Sequence, residues 1–164
     1  MNVLFDAGSL INLAHGQVLQ SILSHDDFDC FLGPLVLDEC PSIRAELEVA
    51  IADGSLTLLN DLDMSPAEFG SLLDHHNLGV GETECMAFLA INDHQVSCDD
   101  GAARKVLSAL YGPNRVTGTL GLLVLAVQAN ILAPEEAFSS YQLMRSAGGY
   151  LPNISATDFK ALVG

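Results

Sequence analysis

Basic residues are scarce in this sequence. Its 164 residues include six lysines and arginines against 21 aspartates and glutamates, so the formal net charge at pH 7 is -15. A protein that holds nucleic acid without regard to sequence does so by neutralising phosphates with lysine and arginine. The charge therefore argues against sequence-independent binding of nucleic acid over a large surface, and leaves only small, local patches of positive charge.

Long apolar runs are also missing. The longest, residues 120–127, is far shorter than the roughly 20 residues that a helix needs to cross a bilayer, which excludes a membrane span. The first six residues have no basic start, no extended apolar core and no small-residue cleavage site, so they predict a first strand rather than a secretory signal. We expect a cytoplasmic protein.

Paired or closely spaced cysteines are absent. Cys30, Cys40, Cys85 and Cys98 stand singly among apolar neighbours, and their spacing matches neither a zinc site nor a redox pair. We therefore expect four buried thiols. In contrast, hydrophobic residues make up 49% of the chain, which excludes a disordered acidic protein and favours one folded domain.

Short apolar runs alternate with segments of helical spacing. The runs at 2–5, 29–32, 56–59, 95–98 and 115–117 predict strands. Helices are predicted over 7–14, 35–40, 43–52, 65–76, 82–91, 102–110 and 119–129, with two more beginning near 134 and 155. This alternation predicts an α/β domain over 1–164 with a mostly parallel sheet covered on both faces. Gly148-Gly149 leaves open a hinge that would make the last fifteen or so residues an appendage.

Carboxylates follow two of the predicted strands. Asp6 ends the first and Asp99-Asp100 the fourth, and ligands of parallel sheets bind outside the carboxyl ends of the strands. If these strands are neighbours, the carboxylates face one crevice. Four more acidic residues could join them: Asp38, Glu39, Glu82 and Glu84.

A divalent cation would explain such a cluster. Like charges held close together raise one another's pKa and destabilise the fold unless positive charge separates them. Hard oxygen ligands favour Mg²⁺ or Mn²⁺, which can activate water and stabilise charge on a phosphodiester. Basic side chains near these segments are limited to Arg44, Arg104 and Lys105, with Arg115 further along the chain.

Simpler interpretations remain open for each carboxylate. An aspartate after a strand is more often a helix N-cap, and glutamates in a first turn complement the helix dipole. At the level of the whole protein, the acidic face could bind a basic partner without catalysis, or the chain could be an acidic receiver-type signalling domain. The glycines at 79 and 81 lack the further glycine and lysine of a phosphate loop, so nucleotide binding is excluded there.

Five segments resemble motifs of PIN domains, the PilT N-terminal nuclease family. They are VLFDAGSLI at 3–11, PLVLDE at 34–39, GETECMA at 81–87, VSCDDGAAR at 96–104 and TGTLGLL at 117–123. The last is similar to a signature of a prokaryotic PIN subfamily that also carries the glycine-glutamate element. Together the segments extend over nearly the whole chain.

The resemblance implies a three-layer fold with a central parallel sheet of four or five strands, and metal-dependent ribonuclease activity. Many such proteins are toxins of type II toxin-antitoxin modules, usually homodimeric and silenced by a small antitoxin. Here the resemblance implies RNA as substrate, Mg²⁺ or Mn²⁺ as cofactor, and a small basic antitoxin as partner. The alternative is a weak or inactive PIN-fold protein that binds a basic protein partner through its acidic face.

The resemblance of each motif to its counterpart in PIN domains implies which residues form the active site. The catalytic residues carried over by position are Asp6, Glu39, Glu84 and Asp99, and the implied metal ligands are Asp6, Glu84, Asp99 and Asp100. Glu82 competes with Glu84, and Asp100 with Asp99, because each motif holds two carboxylates. Ser9 would support Asp6 or a metal-bound water. A local patch of Arg44, Arg104 and Lys105, with Arg115, would bind RNA.

Overall fold

The computed structural model describes residues 1–60, 62 and 64–164. In these residues the strands are β1 (Asn2–Phe5), β2 (Asp29–Leu32), β3 (Thr57–Leu58), β4 (Gln95–Ser97) and β5 (Val116–Thr117). The α-helices are α1 (Ala7–His15), α2 (Leu19–Leu23), α3 (Pro34–Asp38), α4 (Arg44–Asp53), α5 (Pro66–His76), α6 (Val80–Ile91), α7 (Gly101–Tyr111), α8 (Thr119–Gln128), α9 (Pro134–Ser146) and α10 (Ala156–Val163). A 3₁₀ turn, Pro113–Arg115, precedes β5. Asp61 and Asp63, which the sequence places in a solvated loop, lie outside the described residues.

The five strands form one parallel sheet in the order β3-β2-β1-β4-β5. The prediction of an α/β fold with a central parallel sheet of four or five strands is therefore confirmed. Strand β1 lies in the middle, between β2 and β4, and its register with β4 pairs Phe5 with Ser97. The residues that follow β1 and β4 consequently leave the sheet side by side.

Local signals account for several helix ends. Ser65 caps α5 through a reciprocal bond pattern with Glu68, as the sequence predicts. Helix α2 was not predicted, because five residues carry too short a pattern, and Gln17 at φ 61° separates it from α1. Helix α6 begins at Val80, two residues before the predicted start, with Gly79 as its N-cap.

The core packs around the sheet and around α8. Leu122, Leu123 and Ala126 of α8 are fully buried, as its apolar sequence predicts. The last helix belongs to the same core: α10 contacts α8 and α9, and its Phe159 is fully buried against Phe138. The residues after Gly148-Gly149 thus pack onto the rest of the domain.

The cysteines and the apolar segments agree with what the composition predicts. All four cysteines are free and buried, which confirms the buried thiols. Among the described residues, no helix combines the length and the apolar character that a bilayer span requires.

Candidate active site

A cavity of about 350 Å³ opens at the carboxyl edge of the sheet, beyond the ends of β1 and β4. The backbone N–H of Asp6 donates to the carbonyl of Ser97 at 3.0 Å, which extends the β1–β4 pairing to the rim of this cavity. Its polar lining includes Asp6, Asn12, Glu82, Asp99 and Asp100. We call it the carboxylate cavity. The fold thus brings together four of the acidic residues that the sequence singled out.

Asp6 is the most deeply buried aspartate of this cavity, at 5% exposure. It caps α1, and its Oδ1 accepts a bond from the backbone N–H of Ser9 at 2.6 Å. Burial raises the pKa of the Asp6 carboxyl from 3.8 to about 6; the bond from Ser9 opposes this shift, and the charge of Asp99 adds to it. Ser9 supports Asp6 through its backbone, while its hydroxyl accepts a bond from the Ser97 hydroxyl at 2.9 Å.

Asp99 is held by donors on two other helices. Asn12 of α1 donates through Nδ2 to Oδ2 at 2.8 Å, and the backbone N–H of Thr119, at the start of α8, donates to Oδ1 at 2.8 Å. The Thr119 hydroxyl also donates to Oδ2. These donors fix the direction in which the Asp99 carboxylate points.

Sequence reasoning did not select Asn12 or Thr119. A sequence signal for Asn12 does exist. It is a polar residue between the apolar Leu10 and Leu13 of α1, and a buried polar side chain needs a partner. Thr119 lies inside the recognised TGTLGLL segment, but nothing local to that segment identifies Asp99 as its partner.

Glu82 and Glu84 have different surroundings. Glu82 is half-buried and lines the carboxylate cavity. Burial raises the pKa of its carboxyl, and the charges of Glu39 and Asp100 raise it further.

Glu84 is not among the residues that line the carboxylate cavity. Its side chain is buried, and its two oxygens accept bonds from the backbone N–H groups of Leu35 and Val36 at 3.0 and 2.9 Å. The carboxylate therefore caps the first turn of α3. Gly33 makes this approach possible, because a Cβ at that position would lie 2.1 Å from Glu84 Oε2. Burial raises the pKa of the Glu84 carboxyl, and the two backbone bonds lower it.

The two glutamates should respond differently to the same substitution. We expect Glu84→Ala to lower the free energy of unfolding by about 2 to 3 kcal/mol, because two backbone donors of α3 lose their acceptor. We expect Glu82→Ala to change it by less than about 1 kcal/mol, since a repelled, half-buried charge is removed. Urea unfolding of both variants measures the difference, and equal losses would contradict the cap assigned to Glu84.

Glu39 and Asp100 also have local roles. Glu39 is exposed after α3, and its Oε1 accepts a bond from the backbone N–H of Gly81 at 3.1 Å, so it lies beside α6 and not in the lining of the cavity. Asp100 caps α7 by accepting a bond from the backbone N–H of Ala103 at 2.7 Å, and it also lines the cavity. The helix-cap interpretation thus holds for Asp6 and Asp100, and both caps lie at the cavity.

Of the four basic residues proposed to bind RNA, Arg104 lies beside Asp99 of the carboxylate cavity. Its Nη1 donates to the carbonyl of Cys98 at 2.9 Å. Gly118 passes close to both side chains: a Cβ there would lie 2.5 Å from Arg104 Nη1 and 2.8 Å from Asp99 Oδ1. The guanidinium is therefore held next to Asp99.

The other three basic residues lie elsewhere. Arg44 is exposed on α4 and paired with Asp38 and Glu48 at 2.9 and 2.8 Å. Lys105 is exposed on α7 and is not among the lining residues of the carboxylate cavity. Arg115 donates to the carbonyls of Asn92 and His94, before β4 begins. The structure therefore does not bring the proposed four-residue patch together.

The donors around the carboxylate cavity suit a hard divalent cation. Asp6, Glu82, Asp99 and Asp100 offer carboxylate oxygens, which Mg²⁺ and Mn²⁺ prefer. Burial raises the pKa of the nearby Cys98 thiol, which disfavours the thiolate form that soft metals bind. Over residues 1–60, 62 and 64–164, no three histidine, cysteine or acidic side chains already stand close enough to form a metal site.

Comparison with protein families decides the identity of the fold. A family model described as DUF3368, PIN domain, matches residues 2–163. The chain belongs to this PIN-domain family. Searches of curated proteins and of solved structures found no significant match.

Membership confirms the resemblance to PIN domains at the level of the family. PIN domains are in general nucleases and in general use divalent metals. In this PIN domain, Asp6, Asp99 and Asp100 from the recognised motifs lie at the carboxylate cavity, and Glu82 represents the glycine-glutamate motif there.

Proposed function

We propose that this PIN domain is a ribonuclease that uses Mg²⁺ or Mn²⁺ to hydrolyse phosphodiester bonds in unpaired RNA. One observation carries the proposal: four carboxylates from three motifs line a single open cavity at the carboxyl edge of the sheet. Burial and neighbouring acidic charges raise the pKa of Asp6 and of Glu82, which is unfavourable for folding and favours a functional reason for the grouping.

In this proposal Asp6, Glu82 and Asp99 hold the cation, with Asp100 at the rim. When bound, the cation would supply activation of water and stabilisation of negative charge on the phosphate. Glu82 thus takes the role that the sequence comparison gave to Glu84, while Glu84 and Glu39 support the start of α3 and of α6.

The protein's own side chains and backbone orient the carboxylates of Asp6 and Asp99 and set the protonation state of Asp6. Asn12 and Thr119 direct the Asp99 carboxylate, and the Ser9 N–H directs that of Asp6.

Because the pKa of Asp6 is raised to about 6, a proton competes with the cation at this carboxylate in mildly acidic solution. We therefore expect activity to fall as the pH drops below about 6.

RNA must be held locally, because a net charge of -15 opposes polyanions over the rest of the surface. Arg104, fixed beside Asp99, is the cation best placed to meet a phosphate. Few phosphates would then be neutralised, so binding should depend only weakly on salt compared with that of basic RNA-binding proteins.

The negative charge also favours a basic protein partner. A toxin of this kind would be held inactive by a small basic antitoxin, and the acidic surface is complementary to such a partner. The rival function is a protein that keeps the PIN fold without catalysis and binds the basic partner alone. The net charge favours this rival equally well, and cleavage separates the two.

The test is cleavage of a 5′-labelled RNA that contains both a stem and a loop. We expect cuts in unpaired positions with Mg²⁺ or Mn²⁺, none with EDTA, and a fall of roughly 100-fold or more for Glu82→Gln. Glu46→Gln is the matched control, since it makes the same change on the exposed surface of α4. Metal-independent cutting, or full activity of Glu82→Gln, would contradict the proposed site. No cutting by the wild type would favour the rival.

A further inference from the structure

A second cavity, of about 430 Å³, adjoins the carboxylate cavity. Asp99 and Tyr150 line both. The second cavity is otherwise walled mainly by apolar side chains of β5, α8 and the C-terminal segment: Val116, Leu120, Val124, Pro152 and Leu162. We call it the apolar cavity. Its volume is in the range of small-ligand sites.

Two charged side chains, Asp99 and Arg104, line the apolar cavity. Arg104 lines it on the side of Asp99, where its Nη1 is fixed by the Cys98 carbonyl. A ligand that fills it would therefore combine a flat or apolar body with an anionic group that meets the Arg104 guanidinium. A nucleotide has this arrangement, with its base as the body and its phosphate as the anion.

Tyr150 is the most exposed large apolar side chain described, at 91% exposure. Its backbone is nevertheless fixed on both sides. The N–H of Gly149 donates to the carbonyl of Met144 at 2.9 Å, and the hydroxyl of Tyr141 donates to the carbonyl of Pro152 at 2.6 Å. An exposed aromatic ring on an anchored backbone segment offers a face on which a base can stack.

We propose that the apolar cavity binds one unpaired nucleobase of the RNA strand, directly beside the phosphate that is cut. Tyr150 stacks on the base, and Arg104 binds a phosphate of the same strand. The inference rests on the proposed ribonuclease function for the nature of the strand. It adds a reason for selecting unpaired RNA, because a base inside a helix is already stacked and cannot enter the cavity.

Binding tests the subsite independently of cleavage. The probe is a fluorescently labelled RNA hexamer, with Ca²⁺ in place of Mg²⁺ to limit cutting. Stacking on one aromatic ring predicts that Tyr150→Ala raises Kd by about 5- to 100-fold, while Tyr150→Phe stays near the wild type. Tyr150 is so exposed that neither change should affect folding, which melting curves check.

A series of hexamers with one abasic position each makes the test specific. At one position, loss of the base should weaken binding to the wild type as much as Tyr150→Ala does, and the two changes should not add. A structural effect of Tyr150 would instead weaken binding equally for every hexamer. Additive losses at every position, an unchanged Kd for Tyr150→Ala, or no binding of the hexamer by the wild type would overturn the subsite.

Cleavage of the same hexamers with Mn²⁺ separates the two proposals. If the wild type cuts RNA and Tyr150→Ala has unchanged Kd and KM, the subsite is wrong and the ribonuclease stands. If binding depends on Tyr150 and nothing is cut under any condition, base binding by the apolar cavity stands, whereas the ribonuclease, and with it the cut phosphate beside the base, is wrong.

Discussion

Asp6→Asn should make the metal-free protein more stable at neutral pH, by about 3 kcal/mol, and abolish cleavage. The pKa of Asp6 is about 6 in the folded protein and 3.8 as its ordinary value, so the folded state holds the proton more tightly. The stability from this carboxyl is fully present below pH 3.8 and is lost as the pH rises through 6. Above pH 6 the wild type carries a buried charge that asparagine lacks.

The comparison is made by urea unfolding with EDTA between pH 3.5 and 8. The curves of wild type and Asp6→Asn should coincide near pH 3.5 and separate as the pH rises, since asparagine also caps helices well. Asp100→Asn is the matched control: it changes an exposed cap of α7, and we expect a shift below about 0.5 kcal/mol. A constant difference between wild type and Asp6→Asn at all pH values would contradict the burial effect.

Asp99→Asn should also slow cleavage strongly, but with the opposite effect on stability. Its carboxylate accepts bonds from Asn12 and from the backbone and hydroxyl of Thr119. Asparagine supplies one oxygen and one NH₂ group, so a donor now faces a donor. We expect a loss of about 1 to 2 kcal/mol in the free energy of unfolding and a fall of roughly two orders of magnitude or more in cleavage rate.

The same substitution at Asp93 is the control for Asp99→Asn. Asp93 is exposed at the opposite end of β4, so it shares the change of charge but not the cavity. Rates and stabilities are measured on the same preparations. Unchanged cleavage by Asp99→Asn, or stabilisation like that expected for Asp6→Asn, would contradict the role given to its hydrogen bonds.

The sequence was a good guide to the sheet and to the residues that leave it. Asp6 and Asp99 follow short apolar runs, and parallel strands place their carboxyl ends at one edge. That β1 and β4 are neighbours was only a condition of the argument, because strand order depends on contacts between distant segments. The structure shows that the two strands are neighbours, with Phe5 of β1 paired with Ser97 of β4.

The choice between Glu82 and Glu84 could not be made from the sequence. Residues two apart on a helix are rotated by about 200°, so one of them faces the cavity and the other faces α3. Which is which depends on how α6 is rotated against its neighbours. The Gly33 contact with Glu84 fixes that rotation, and it joins segments about 50 residues apart.

The basic patch was not brought together for a related reason. Arg44 is near an acidic motif in the chain, yet it forms ion pairs with Asp38 and Glu48 on the surface. Arg115 lies further along the chain and donates to carbonyls before β4. Only local geometry distinguishes them from Arg104, which shares Gly118 as a neighbour with Asp99.

The central claim is that the carboxylates of this cavity bind a divalent cation. A titration of Tm with Mn²⁺ at pH 7.5 tests it most directly, because a ligand that binds only the folded state stabilises it by about 2.7 kcal/mol at 100 times its Kd. We predict that Mn²⁺ raises the Tm of the wild type and of Asp93→Asn, but not that of Asp6→Asn or Asp99→Asn. No rise in the wild type, or equal rises in all four proteins, would contradict the claim.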